Sequence, residues 1–135
     1  MATVHTQRTI NAPAAEVWEI LRSFGLPYFK DLHYSLEGAG PGAKRAFHLP
    51  GGRMIEQLVA LDDDSRTLHY TILESPWPVK EYRGTIRVSG QGDSALVAWS
   101  AEYTPHGADE MTTSRIVAGT FKMNLKALEY FLTAA

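Results

Sequence analysis

Five strand-length runs in succession, each closed by turn chemistry and followed by one helix longer than any of them, leave few folds open to this chain. AKRAFHL (43–49) closes on Pro50-Gly51-Gly52, and RMIEQLVAL (53–61) closes on Asp62-Asp63-Asp64-Ser65. RTLHYTIL (66–73) runs into a Ser75–Pro78 link, VKEYRGTIRV (79–88) into Gly90-Gln91-Gly92-Asp93, and SALVAWSAEY (94–103) into Pro105-His106-Gly107. Turn signals recurring roughly every dozen residues predict an antiparallel meander. Residues 109–133 then carry a single helical pattern, in which Val117, Phe121, Asn124, Leu128 and Phe131 draw one stripe. Asp109 and Glu110 suit the N-terminus of this helix, and Thr112 or Thr113 can also cap it. At about 1.5 Å per residue such a helix crosses a whole small sheet.

Ahead of the meander, TVHTQRTIN (3–11) puts Val4, Thr6, Arg8 and Ile10 on one face of a strand. In APAAEVWEILRSF, Pro13 suits a first helical turn and Val17, Ile20, Leu21 and Phe24 recur at helical spacing until Gly25 and Pro27 stop them. YFKDL (28–32) reads as a second short helix and GAGPG (38–42) as loop. The order is strand, two short helices, a run of strands and one long helix, an α+β arrangement with helices gathered against an antiparallel sheet.

The 135 residues suit one domain spanning 1–135, able to bury a core without staples. A net charge of −2 gives no electrostatic case for nucleic acid or an anionic membrane. Cysteine is absent, which excludes disulfides, thiolate nucleophiles and cysteine-bound metals and fits a reducing compartment. Neither a signal-peptide core nor an apolar run of membrane-spanning length is present, so a cytoplasmic protein, monomer or homodimer, is expected. His5, His33, His48, His69 and His106 lack ligand spacing, so no metal and no cofactor are expected. Gly38, Gly40 and Gly42 alternate as in a dinucleotide fingerprint, but no βαβ unit surrounds them.

Four stretches together, INAPAAEVWEIL (10–21), GGRMIEQLVALDDDSRTLHYTI (51–72), PWPVKEYRGTIRV (76–88) and LVAWSAEYTPHG (96–107), resemble the START-related helix-grip superfamily. These are the Bet v 1-like or SRPBCC proteins, and within them the chain is most similar to the polyketide cyclase/dehydrase and lipid-transport group. The resemblance implies a curved seven-stranded antiparallel sheet wrapped around the long C-terminal helix, with a ligand cavity between them. It implies binding of a small, mostly apolar molecule that is aromatic, polyketide-like or lipid-like. Two alternatives come with it: a cyclase or dehydratase, or a stress-related or regulatory protein whose cavity serves a partner. Where relatives carry a glycine before the leucine of the last helix, this chain has Asn124, which puts a polar group on the stripe expected to face the cavity.

Strand parity then selects the inward side chains. Tyr82, Gly84, Ile86 and Val88 share one face, as do Leu68, Tyr70 and Ile72, and Val97, Trp99, Ala101 and Tyr103. Phe47 and Leu49 share a face with Arg45. The run 53–61 is ambiguous, because Glu56, Leu58 and Ala60 compete with Ile55, Gln57 and Val59; the resemblance favours Glu56 facing in. A carboxyl among Tyr70, Tyr82 and Trp99 could serve as an acid or base, with Tyr82 as its catalytic partner, or could instead pair with Arg45, Arg53 or Arg66. Phe47, Tyr70, Trp77, Trp99, Phe121 and Asn124 are the expected ligand contacts. Pro76 and Pro78 cannot donate to a ladder, so they hold Trp77 off the sheet, at what the resemblance implies is the cavity mouth.

Overall fold

Strand alternation and turn chemistry act as the sequence predicts in the computed structural model, which describes residues 1–134. Along the chain run β1 (Ala2–Ile10), α1 (Ala14–Arg22), β2 (Tyr34–Glu37), β3 (Lys44–Leu49), β4 (Gly52–Asp62), β5 (Thr67–Glu74), β6 (Val79–Gln91), β7 (Ser94–Pro105) and α2 (Glu110–Thr133). The seven strands form one antiparallel sheet in the order β1-β7-β6-β5-β4-β3-β2, so every neighbour but one is a hairpin partner and β1 closes back on β7. Pairing shifts at Ile55/Glu56, Leu58/Ala60 and Lys80/Arg83 insert bulges, which bend the strands that carry them.

Of the expected elements, one is corrected. The segment 28–32 is not a helix. It folds as consecutive turns, in which Phe29 N–H donates to Leu26 O and Leu32 N–H to Phe29 O, because Pro27 interrupts any ladder arriving from α1. The four-residue strand β2, pairing Tyr34 with Phe47 and Glu37 with Lys44, carries no sequence signal of its own and is made by its partner β3.

Helix α2 begins where Asp109 accepts the Thr112 N–H at 2.7 Å, a cap that holds the Asp109 carboxyl below its usual range. Its inward stripe is Thr113, Val117, Phe121, Asn124, Leu125 and Leu128, while Lys122 and Lys126 are solvated. The stripe ends at Leu128; Phe131, expected to continue it, is 41% exposed. The helix rests mainly on β1 and β7, and a bond from Arg8 Nη2 on β1 to Glu129 Oε1 at 2.7 Å pins it there. On the other flank, Trp18 Nε1 and Arg22 Nε of α1 both donate to Asp63 Oδ1 at 2.8 Å, tying α1 to the β4–β5 turn. Because α2 leans on the β1–β7 side, it stands off β3, β4 and β5, and that gap becomes the cavity. No helix among the described residues is long and apolar enough to cross a membrane.

Candidate functional site

Tyr70 and Gly84 are directly paired across β5 and β6. A Cβ on Gly84 would clash with the Tyr70 ring, so the glycine is what lets that ring lie over the neighbouring strand. With Tyr70 so placed, Trp99 Nε1 donates to its hydroxyl at 2.9 Å, and the Tyr82 hydroxyl lies 2.9 Å from the same oxygen. Burial raises both phenols above their ordinary range, so they stay protonated near neutral pH. The Tyr70 ring meets Trp99 edge-on at 6.5 Å, and Trp99 stacks on Phe121 of α2 at 5.2 Å. This aromatic wall is one side of a cavity of about 360 Å³ between the sheet and α2.

The facing side comes from segment 26–32, where Leu26, Phe29 and Leu32 close the gap left by α2. Phe47, Leu49 and Pro50 from β3 and its turn, Met54 from β4 and Met123 from α2 complete the apolar part, and Thr120 and Asn124 of α2 add polar groups. At the rim, Gly51 has φ 95°, which suits the third position of a Pro50-Gly51 type II turn. Pro76 packs over that turn, since a Cβ on Gly52 would meet Pro76 at 3.4 Å. The link between β5 and β6 stays off the ladder as the two prolines demand, while Pro78 O accepts from His106 N–H at 2.9 Å. Trp77 is thereby held half-buried at the rim, edge-on to Tyr82 at 6.4 Å, and it lines the cavity.

Glu56 does face in, because β4 keeps Met54, Glu56 and Leu58 buried before its bulge shifts the phase. It is also paired. Arg45, its register partner on β3, donates from Nε to Glu56 Oε1 at 2.7 Å, and both residues line the cavity. Glu56 is thus at once a cavity carboxyl and an ion-pair partner, and the pair is buried: the side chains are only 5% and 8% exposed. Phe24, in a left-handed conformation at φ 63°, receives Arg45 twice. Its ring lies 4.0 Å from the guanidinium carbon, and its carbonyl accepts from Nη1 at 3.4 Å. Burial works against the Arg45 charge, but the Glu56 carboxylate together with the Tyr28 and Tyr70 hydroxyls outweighs it and raises the Arg45 pKa above its ordinary value.

Of the residues expected at the site, Glu56, Phe47, Tyr70, Trp77, Trp99, Phe121 and Asn124 all line the cavity. Tyr82 does not: it sits behind Tyr70 and reaches the cavity only through the shared hydroxyl contact, which corrects its placement as a partner at the wall. The Asn124 amide is partly engaged, accepting from the Tyr28 hydroxyl at 3.3 Å and donating to Thr120 O at 2.8 Å. Burial pushes the Tyr28 phenol up to about 12, which keeps it a donor. Sequence reasoning missed Arg45 as a wall residue, together with Leu26, Phe29 and Met54. The signal for Arg45 was its parity with Phe47 and Leu49. Among the described residues, no cluster of His, Asp or Glu could hold a metal ion.

The chain is similar to several known proteins. It is 29% identical to the abscisic acid receptor PYL2 of Arabidopsis thaliana, over 96% of this chain and 76% of that one. The protein XoxI of Bacillus cereus superposes with a TM-score of 0.84 at 28% identity, covering 99% of this chain and 97% of that one. Truncated norcoclaurine synthase of Thalictrum flavum shares the fold, with a TM-score of 0.78 at 19% identity over 98% of this chain and 94% of its own. Residues 1–130 match the family described as polyketide cyclase / dehydrase and lipid transport, with the helix-grip architecture built above, and the chain belongs to that family.

Proposed function

We propose that the protein reversibly binds one small, mostly apolar molecule, aromatic or polyketide-like in shape, in the cavity between α2 and the sheet. The observation that carries this reading is the cavity itself: about 360 Å³ of space walled by Trp77, Trp99, Phe121, Phe47 and Tyr70, with the buried Arg45–Glu56 pair as the charged feature among its described residues. An apolar pocket with few placed polar groups is the usual form of a small-molecule site. Phe47, Tyr70, Trp77, Trp99, Phe121 and Asn124 are the proposed contacts. The similarity to a protein named as an abscisic acid receptor supports reversible binding of a small organic ligand.

Acid–base turnover by Glu56 and Tyr82, in the manner of a cyclase or dehydratase, has less support. Arg45 already holds the Glu56 carboxylate, and Tyr82 stands behind Tyr70.

Freshly purified protein, sprayed under native conditions, should carry a co-purifying small molecule. After its removal, the folded protein should take up a neutral, polarity-sensitive naphthyl ketone dye at about micromolar concentration, with quenching of tryptophan fluorescence. Folded protein that leaves the dye in water at every concentration would overturn the proposal.

A further inference from the structure

The polar groups around the cavity differ in how much of their bonding capacity is used. Tyr70 accepts from Trp99 and shares a bond with Tyr82, Thr120 donates to Ile116 O, and Asn124 is held by Tyr28 and Thr120 O. The ion pair is different. Arg45 uses Nε on Glu56 Oε1 and Nη1 on Phe24 O, which leaves Nη2 of Arg45 and Oε2 of Glu56 without a hydrogen bond among the described residues. No sealed side-chain nitrogen or oxygen among those residues lacks a partner, so these two atoms are open to the cavity that both residues line. One is a donor that cannot accept, and the other is a carboxylate acceptor.

We infer that the Arg45–Glu56 pair is a head-group selector, which prefers a neutral group that both donates and accepts and rejects a carboxylate. The inference rests on the proposed cavity-binding function and specifies the ligand's polar end. The pair is neutral in sum, so an incoming anion gains Arg45 only by sitting beside the Glu56 charge, and like charges side by side in a site of low dielectric repel. A plain ketone satisfies Arg45 but gives Glu56 nothing. A primary carboxamide, or a phenol or enol, can accept from Nη2 and donate to Oε2 at once. The apolar walls take up the rest of the molecule.

Three probes of nearly one shape separate these cases at neutral pH: 2-naphthamide, 2-acetylnaphthalene and 2-naphthoate, titrated against the intact protein. The carboxamide should bind several-fold tighter than the ketone, and at least about tenfold tighter than the carboxylate, the margin expected when a site built for a donor meets an acceptor-only analogue. In Glu56→Gln, which keeps the shape and removes the negative charge, the order should turn toward 2-naphthoate. The wild-type ranking needs no variant to fold. Dye uptake with equal affinity for the three probes, a wild-type preference for the carboxylate, or an unchanged order in a folded Glu56→Gln overturns the head-group assignment alone. Failure of the dye and all three probes overturns the cavity reading, and this inference with it.

Discussion

Replacing Arg45 by methionine should lower stability by about 3–5 kcal/mol, because it strands the Glu56 carboxylate in a wall where both side chains are almost fully buried. Three contacts are lost. The charge-assisted bond at 2.7 Å goes, the guanidinium leaves the Phe24 ring at 4.0 Å, and the Phe24 carbonyl loses a donor. The larger share comes from leaving one charge uncompensated rather than from the net worth of the pair. A double replacement, Arg45→Met with Glu56→Leu, should therefore recover most of the stability lost in the single variant. Urea unfolding of the three proteins checks both statements. A single variant within about 0.5 kcal/mol of the parent, the range of ordinary surface changes, would mean that the pair is solvated.

Phe121→Ala is expected to have an effect of similar size for a different reason. Phe121 is 1% exposed, stacks on Trp99 with 22° between the ring planes, and faces the cavity. Truncating it removes a stacked ring and leaves a void that merges with space already present, so the site cannot collapse to recover contacts; the cost should reach about 3–5 kcal/mol. Unlike Arg45→Met, this variant should be rescued in part by ligand, since a bound molecule that fills the void stabilises only the folded state. Thermal unfolding with and without the naphthyl ketone dye measures both. A loss below about 1 kcal/mol would show that α2 does not pack over Trp99.

The parts of the fold that were legible in the sequence are those set by local periodicity. Asp109 caps α2 where its carboxylate precedes the helical stripe, and the period of two along β5, β6 and β7 put Tyr70, Tyr82 and Trp99 on the inner face. What escaped depends on neighbours distant in sequence. The strand β2 exists because β3 offers it a ladder, and three of its four residues are exposed, so no alternation marks it. Residues 28–32 have helical composition, yet Pro27 and the closing role of Phe29 and Leu32 fold them as turns.

The site divides the same way. Glu56 was ambiguous because the bulge at Leu58/Ala60 changes the phase of β4 within one run, so neither parity fits all of 53–61. Parity puts Arg45 on the face of Phe47 and Leu49, but its charge argues against a place in the wall, and only its cross-strand register with Glu56 and the left-handed turn at Phe24 show why that charge is tolerated inside. Tyr82 had the right face but the wrong depth. Gly84 lets Tyr70 lie between Tyr82 and the cavity, a layering that strand parity alone does not carry.

The three tryptophans give the most direct test of the central claim, because two line the cavity and one does not. Trp77 and Trp99 are wall residues, whereas Trp18 sits on α1 with its indole N–H committed to Asp63 at 2.8 Å. The indole N–H signals of the intact protein can be followed by two-dimensional NMR as the naphthyl ketone dye is added. Ring currents and lost solvent contact should shift the Trp77 and Trp99 signals together, with one shared dissociation constant, and leave Trp18 in place. A saturating titration that moves none of the three, or moves Trp18 alone, would contradict ligand binding between α2 and the sheet.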